Sequence, residues 1–123
     1  MFYGCQTLKS LNLKNFNTSL ITWMNGLFSE CHSLEHLDIS SFHTSKVVRM
    51  DGMFLNCRSL KYLNLYNFDT SQVTRMDNIF NGCSSLISLN LSSFSFSKVN
   101  NMNHMFSECK SLISLNLLNF DTL

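Results

Sequence analysis

Residues 34–59, LEHLDISSFHTSKVVRMDGMFLNCRS, are one unit of a pattern that repeats every 26 residues along the 123-residue chain. Phenylalanine, cysteine and leucine return at the same places in each unit, and the register never slips. Columns in phase indicate a repeat architecture, in which stacked units bury a core that no single unit could form. The columns are Phe2/Phe28/Phe54/Phe80/Phe106, Cys5/Cys31/Cys57/Cys83/Cys109, Leu8/Leu34/Leu60/Leu86/Leu112, Leu11/Leu37/Leu63/Leu89/Leu115 and Phe16/Phe42/Phe68/Phe94/Phe120.

Each unit is predicted to contain one strand and one short helix. Residues 37–39 alternate between apolar and polar, as in a strand with one buried face, whereas Met50, Phe54 and Cys57 are spaced by four and three, as on one face of a helix. An Asn or Asp precedes the second stretch in every unit, and both are favoured N-caps. We therefore expect an α/β solenoid, with a parallel sheet on one face and short helices, at about residues 52–57 and their equivalents, on the other.

Composition excludes several functions. Nine Lys+Arg against eight Asp+Glu give a formal charge of +1, so there is no basic excess for binding nucleic acid. The apolar runs are only a few residues long, far short of the roughly 20 that span a bilayer. No Ser, Cys, His or carboxylate grouping recurs with an acid–base partner, so we expect neither an enzyme nor a cofactor.

The units resemble the leucine-rich repeats of the BspA-like surface proteins. The resemblance covers the whole chain, and it is carried by Leu-Asn-Leu or Leu-Asp-Ile, by YNFDTS at residues 66–71, and by MF-x-x-C-x-SL at residues 53–60. It implies a single leucine-rich-repeat array over residues 1–123, with about 4.7 repeats (123/26). It also implies a secreted or cell-surface protein, and some members of this family act as adhesins for host matrix proteins.

Two positions depart from the repeat, and the chain carries no cap. Phe96 replaces a threonine, Trp23 replaces Arg or Asn, and each aromatic side chain is expected to protrude from its turn. Because residues 121–123 end the chain without a polar cap, we expect a fragment of a longer array, with edge strands that could pair end to end with another copy. The other members of the two columns are Thr18, Thr44, Thr70 and Thr122, and Arg49, Arg75 and Asn101.

The cysteine and histidine residues are predicted to be structural or solvated. Cysteines of neighbouring repeats are expected to lie close enough for disulfides. However, five is an odd number, no Cys-x-x-Cys occurs, and the column shares its face with Met and Phe. We interpret the column as buried free thiols. His32 and His36 would share a face only on a helix, whereas here they flank strand residues, so no metal site is expected.

A polar column is predicted to form a structural ladder on the open face of the sheet. It lies between the two buried residues of each strand. Its amides are expected to form hydrogen bonds from repeat to repeat, and Asp38 is expected to accept an N–H from a neighbouring asparagine. Its members are Asn12, Asp38, Asn64, Asn90 and Asn116.

The columns beside this ladder vary, as expected of a binding face on a fixed frame. One holds Ser10, His36, Tyr62, Ser88 and Ser114, and the other holds Lys14, Ser40, Tyr66, Ser92 and Leu118. Tyr62 and Tyr66 are predicted to lie on the same face of one strand, because a spacing of four returns to the same side. Tyrosine is enriched at interface hot spots, so this pair is the expected anchor. The predicted ligand-binding residues are Tyr62, Tyr66, His36, Asp38 and Asn64, against the alternative that the tyrosines are ordinary exposed residues.

Three functions remain open on the sequence. The first is a surface or secreted module that binds a protein partner or host-matrix component through the open sheet face. The second is a structural spacer with no discrete ligand, and the third is an intracellular interaction scaffold.

Overall fold

The computed structural model describes residues 1–118 and residue 120. The chain winds as a solenoid in which each 26-residue unit forms one turn, here called a rung. Four strands lie at equivalent places in their rungs: β1 is Ser10–Asn12, β2 is His36–Asp38, β3 is Ser88–Asn90 and β4 is Ser114–Asn116. The pairing is parallel with a register of one unit, so Leu11 lies opposite Leu37 and Leu89 opposite Leu115. The parallel arrangement expected from the sequence is confirmed.

The sheet is interrupted in its middle. In the described part of the chain, β1 pairs with β2 and β3 pairs with β4, and residues 62–64, which the repeat places between β2 and β3, form no strand. A bond from the Ile87 N–H to the Lys61 carbonyl (3.1 Å) still joins their rung to the next one. The continuous sheet expected from the sequence is therefore two short sheets, separated by the rung that carries Tyr62.

A second set of parallel bridges runs through the rungs where the main sheet is interrupted. Trp23 pairs with Arg49, Arg49 pairs with Arg75, and Arg75 pairs with Asn101. The Met50 N–H, for example, donates to the Arg75 carbonyl at 3.0 Å. This edge therefore holds neighbouring rungs together across the middle of the solenoid.

The short helices predicted at about residues 52–57 and their equivalents are wrong, because turns occupy these places and no helix occurs among the described residues. In each of the four rungs from Gly26 onward, two residues take the left-handed conformation, which ends an α-helix. The Cys57 N–H donates to the Phe54 carbonyl three residues back (3.1 Å), as in a turn. The Phe54 N–H instead donates to the Ile79 carbonyl of the next rung (2.9 Å). The residues with φ between 57° and 78° are Gly4, Gly26, Glu30, Gly52, Asn56, Asn78, Gly82, His104 and Glu108.

Stacked phenylalanines form the centre of the core. Phe28, Phe54 and Phe80 are fully buried, and their ring centroids lie 5.6 and 5.8 Å apart along the stack, within 13° of parallel. Phe42, Phe68 and Phe94 form a second stack with a wider spacing, 6.5 and 6.4 Å between ring centroids. Each ring closes over the next rung, so the apolar columns bury one another as the repeat predicted.

A buried threonine column joins the rungs at their turns. The Thr70 hydroxyl donates to the Ser95 carbonyl (2.9 Å) and accepts from the Ser95 N–H (2.8 Å), and Thr18 and Thr44 make the same pair of bonds to the rungs that follow them. Thr122 lies outside the described residues. Each hydroxyl therefore satisfies both backbone groups of a residue in the next rung.

Phe96 does not protrude from its turn, contrary to the prediction. It is 7% exposed and packs against Phe94, at 6.0 Å, and edge-on against Phe120, at 5.1 Å between centroids. Neighbouring aromatic rings give this side chain an apolar environment, so it turns into the core. Trp23 does protrude, with 66% of its surface exposed.

Candidate binding surface on the open sheet face

A hollow of about 790 Å³ opens on the outer face of the sheet between β1, β2 and the rung of residues 62–64. Its rim and floor combine hydroxyl, amide, carboxylate, imidazole and phenol groups. The lining includes Ser10, Asn12, His36, Asp38, Tyr62 and Asn64. The hollow lies beside the interruption of the sheet, where no backbone hydrogen bond joins residues 62–64 to β2 in the described part of the chain.

Four of the five predicted ligand-binding residues lie together here. His36, Asp38, Tyr62 and Asn64 line the hollow, and Tyr62 is 67% exposed at its edge. Tyr66 is 80% exposed but is not part of the lining. The single-strand interpretation of the two tyrosines is wrong, because residues 66 and 67 form a turn.

The turn that separates the tyrosines is made by the polar column itself. The Asn64 side-chain oxygen accepts the N–H of Tyr66 at 3.0 Å, an Asx-turn that redirects the chain after the open-face residues. The other members of the column accept from the residue two positions ahead in the same way, at 2.9 to 3.1 Å. The bonds thus lie within each rung and replace the rung-to-rung amide bonds expected from the sequence.

Asp38 is the one acidic member of this column, and its environment keeps it charged. Its Oδ1 accepts from the Ser40 hydroxyl at 2.6 Å and from the Ser40 N–H at 3.0 Å. These hydrogen bonds, with a smaller contribution from the nearby Lys14, lower the pKa of Asp38 from its ordinary value. Asp38 therefore brings a negative charge to the hollow, whose lining also includes Glu35 and Lys61.

The cysteine column lies on the opposite side, inside the core. In the structure all five are free thiols; Cys31, Cys57 and Cys83 are buried, while Cys5 and Cys109 are half-buried. The Cys57 thiol donates to the Phe28 carbonyl of the preceding rung at 3.2 Å, and three more cysteines do the same to their own preceding rungs. Burial raises the pKa of Cys57 to about 12. Thiols and threonine hydroxyls thus form repeated bonds between rungs, which the column of Asn12, Asp38 and Asn64 does not.

Two polar clusters were not found from the sequence. Arg49 and Arg75 each form two hydrogen bonds with an aspartate two residues ahead, at 2.8 to 3.0 Å. Glu30 contacts His32 and Asn56, each at 2.8 Å. The Arg-x-Asp spacing at residues 49–51 and 75–77 was a visible signal for the first cluster, since alternate residues of an extended segment lie on one side.

The stacked parallel rungs, the leucine columns and the variable outer face define a leucine-rich-repeat solenoid. The chain belongs to the family described as "Mycoplasma protein of unknown function, DUF285", whose model matches residues 1–120. No curated protein matches the chain.

Two solved structures are similar to this fold. A leucine-rich-repeat protein of T. pallidum matches with a TM-score of 0.55 and 19% identity, over 97% of this chain and 60% of its own. A leucine-rich-repeat protein of Bacteroides ovatus matches with a TM-score of 0.54 and 20% identity, over 94% of this chain and 33% of its own. The chain thus spans between a third and three fifths of these proteins. The resemblance to the BspA-like leucine-rich repeats is confirmed at the level of the fold. No helix among the described residues is long and apolar enough to cross a membrane.

Proposed function

We propose that this chain is a protein-binding module of a cell-surface or secreted protein, and that its contact surface is the hollow on the open sheet face. The observation that carries the proposal is the convergence of Tyr62, His36, Asp38 and Asn64 on one concavity of about 790 Å³. Stacked aromatic and aliphatic columns fix the frame beneath it, while the residues on the open face differ from rung to rung. A rigid frame with variable side chains lowers the entropic cost of binding.

The hollow suits a polar protein surface better than a small apolar ligand. Ten of its twelve lining residues carry a hydroxyl, amide, imidazole or charged group, Leu11 and Leu37 are the other two, and the hollow is open to solvent. Tyr62 offers an exposed aromatic ring, and Asp38 offers a hydrogen-bond acceptor in the lining. Interfaces of this composition have an aromatic anchor surrounded by hydrogen-bonding groups.

A catalytic role is not part of the proposal. A general base works best with a pKa near the working pH. The hydrogen bonds of Ser40 instead lower the pKa of Asp38, one of the two carboxylates that line the hollow. Its chemistry is that of a hydrogen-bond acceptor in recognition. The surface location rests on the family resemblance alone.

The two tyrosines provide a matched pair of variants that tests the contact surface. Tyr62→Ser introduces the residue found at Ser10, Ser88 and Ser114, and Tyr66→Ser introduces the residue found at Ser40 and Ser92, so the repeat tolerates both changes. Binding is measured by surface plasmon resonance against a panel of immobilised extracellular-matrix proteins. For a matrix protein that binds the parent chain, we expect Tyr62→Ser to weaken binding at least tenfold, about 1.4 kcal/mol, and Tyr66→Ser to leave it within about twofold.

Two outcomes would contradict the proposal. If no matrix protein binds the parent chain, the adhesive role fails and the spacer interpretation gains support. If binding occurs but Tyr62→Ser binds as well as the parent, the contact surface lies elsewhere on the solenoid. Circular dichroism and the unfolding midpoint of each variant show that the frame is intact.

A further inference from the structure

Large apolar side chains are exposed on the flank of the solenoid, away from the open sheet face. Leu20 is 79% exposed, Trp23 is 66% exposed and Val48 is 36% exposed. The Val48 N–H donates to the Thr22 carbonyl at 2.7 Å, which places Val48 alongside the segment that carries the other two. These three residues are here called the flank patch.

The exposure of Leu20 and Val48 belongs to their columns, because the equivalents of Leu20 are exposed in every described rung and Val48 lies in a rung with a neighbour on each side. Ile21, 41% exposed, is not counted with them, because its column is buried at Val47 and Val73. The positions equivalent to the flank patch in the other rungs are exposed or half-buried, and they hold polar side chains. The column of Leu20 continues with Lys46, Gln72 and Lys98; that of Trp23 with Arg49, Arg75 and Asn101; and that of Val48 contains Thr22, Thr74 and Asn100. Apolar residues replace polar ones at three neighbouring outward positions, and an exposed apolar patch rimmed by polar groups is typical of an interaction site.

The indole of Trp23 is held in place before any partner arrives. The guanidinium carbon of Arg49 lies 5.8 Å from its ring centroid, within range of a cation–π interaction. Arg49 is itself fixed by Asp51, with Nε to Oδ1 at 2.9 Å and Nη2 to Oδ2 at 2.8 Å. A tryptophan that is already ordered loses little side-chain entropy on binding.

The surroundings of the flank patch are basic. Over residues 20–25, 46–51, 72–77 and 98–103, four cationic side chains face two carboxylates, a net charge of 4 − 2 = +2, compared with +1 for the whole chain. The two carboxylates belong to Asp51 and Asp77, and each already pairs with an arginine. Lys46, in the rung next to Leu20, is therefore a cation available at the rim.

We propose that the flank patch is a second docking surface, and that it takes a protein segment in which apolar side chains alternate with carboxylates. The apolar side chains cover Trp23 and Leu20, and a carboxylate of the partner lies at Lys46, so the charge of the partner complements the rim. The aromatic ring provides the anchor, as tryptophan commonly does at hot spots. This surface is distinct from the hollow, so the module would hold two partners on different faces.

The chain contains a single tryptophan, so the emission of Trp23 reports this surface alone. The probe is an acetylated and amidated hexapeptide of alternating Glu and Leu, titrated into the folded chain at low salt. We expect a saturable blue shift of the emission and protection from acrylamide quenching. A hexapeptide of alternating Lys and Leu should produce neither change, and the response to the acidic peptide should weaken as salt is added.

Variants that keep the reporter test which residues are responsible. The double variant Leu20→Gln/Val48→Thr introduces the residue types found at Gln72 and Thr74, and it should bind the acidic peptide at least tenfold more weakly. Lys46→Gln should also weaken binding of the acidic peptide and make that binding less dependent on salt. Leu118→Ser, an equally exposed residue of the open-face columns, is the matched control and should change nothing. The proposal is overturned if the acidic peptide leaves the emission unchanged, if the basic peptide binds as well, or if the flank variants bind like the parent. Anionic phospholipid vesicles form the last arm, and a blue shift with vesicles but not with the acidic peptide would assign the surface to lipid instead.

Discussion

Replacing Thr70 with valine should destabilise the fold, because valine has the same shape but lacks the hydroxyl that joins two rungs. Thr70 is 1% exposed, and its hydroxyl makes one bond to the Ser95 carbonyl and one to the Ser95 N–H, at 2.9 and 2.8 Å. Each such bond contributes about 1 kcal/mol net, so the loss of both should cost about 2 kcal/mol. With a urea m-value of about 2 kcal/mol per molar, the unfolding midpoint should fall by about 1 M.

The same substitution in a neighbouring column provides the control. The Thr74 hydroxyl makes a single bond, at 3.3 Å to the Val48 carbonyl, in a more exposed position. Thr74→Val should therefore change the free energy of unfolding by no more than about 0.5 kcal/mol. Urea unfolding of the three proteins is followed by far-ultraviolet circular dichroism and Trp23 emission. The threonine column would not have the role described if Thr70→Val unfolds at the same urea concentration as the parent chain, or if the two variants lose equal free energy of unfolding.

Further predictions concern the core. Leu63→Asp should unfold the chain or make it insoluble, because Leu63 is 8% exposed and a buried unpaired charge costs several kcal/mol; a soluble variant with the parent's melting curve would remove Leu63 from the core. Titration with a thiol reagent at pH 8, without reductant, should leave the three buried cysteines unreactive in the folded chain and detect all five after denaturation, while fewer than five would reveal disulfides. The folded-state pKa of Cys57 is raised to about 12 from an ordinary 9.0, so its contribution to stability is complete below about pH 9 and is lost as the pH rises toward 12. A urea unfolding midpoint that does not change between about pH 9 and pH 12 would contradict this pH dependence.

The columns of the core could be predicted because they depend only on the period. Leu34, Phe54 and Met50 are fully buried, and each belongs to a column that recurs in phase. Such side chains contact the equivalent residue one rung away, which is of the same or a similar type. The sequence of a single repeat is therefore enough to predict what surrounds them. Parallel pairing at a register of one unit follows from the same fact.

The helices were predicted wrongly because spacings of three and four do not distinguish a helix from a run of turns. Met53 and Phe54 are buried as helix periodicity would require, yet Gly52 and Asn56 on either side have positive φ. All four glycines of the chain fall in the two left-handed columns, which was a signal present in the sequence. Asn, Glu and His fill the remaining places of these columns, and they obscured it.

The candidate site could be predicted in part. Side chains on neighbouring rungs, such as His36 and Tyr62, come together because the repeat places them in one column. The separation of Tyr66 from Tyr62 depends on the Asx-turn at Asn64, a local hydrogen bond that strand periodicity does not contain. The interruption of the sheet at residues 62–64 has no counterpart in the repeat pattern.

Nuclear magnetic resonance can show whether the hollow on the open sheet face is the contact surface. The ¹⁵N-labelled chain is titrated with a soluble fragment of the matrix protein that the binding panel identifies. We expect the largest amide shift changes at His36, Asp38, Tyr62 and Asn64, with the flank around Trp23 unperturbed by that partner. Changes confined to the flank or to the turns of residues 52–57, with the hollow unaffected, would contradict this expectation.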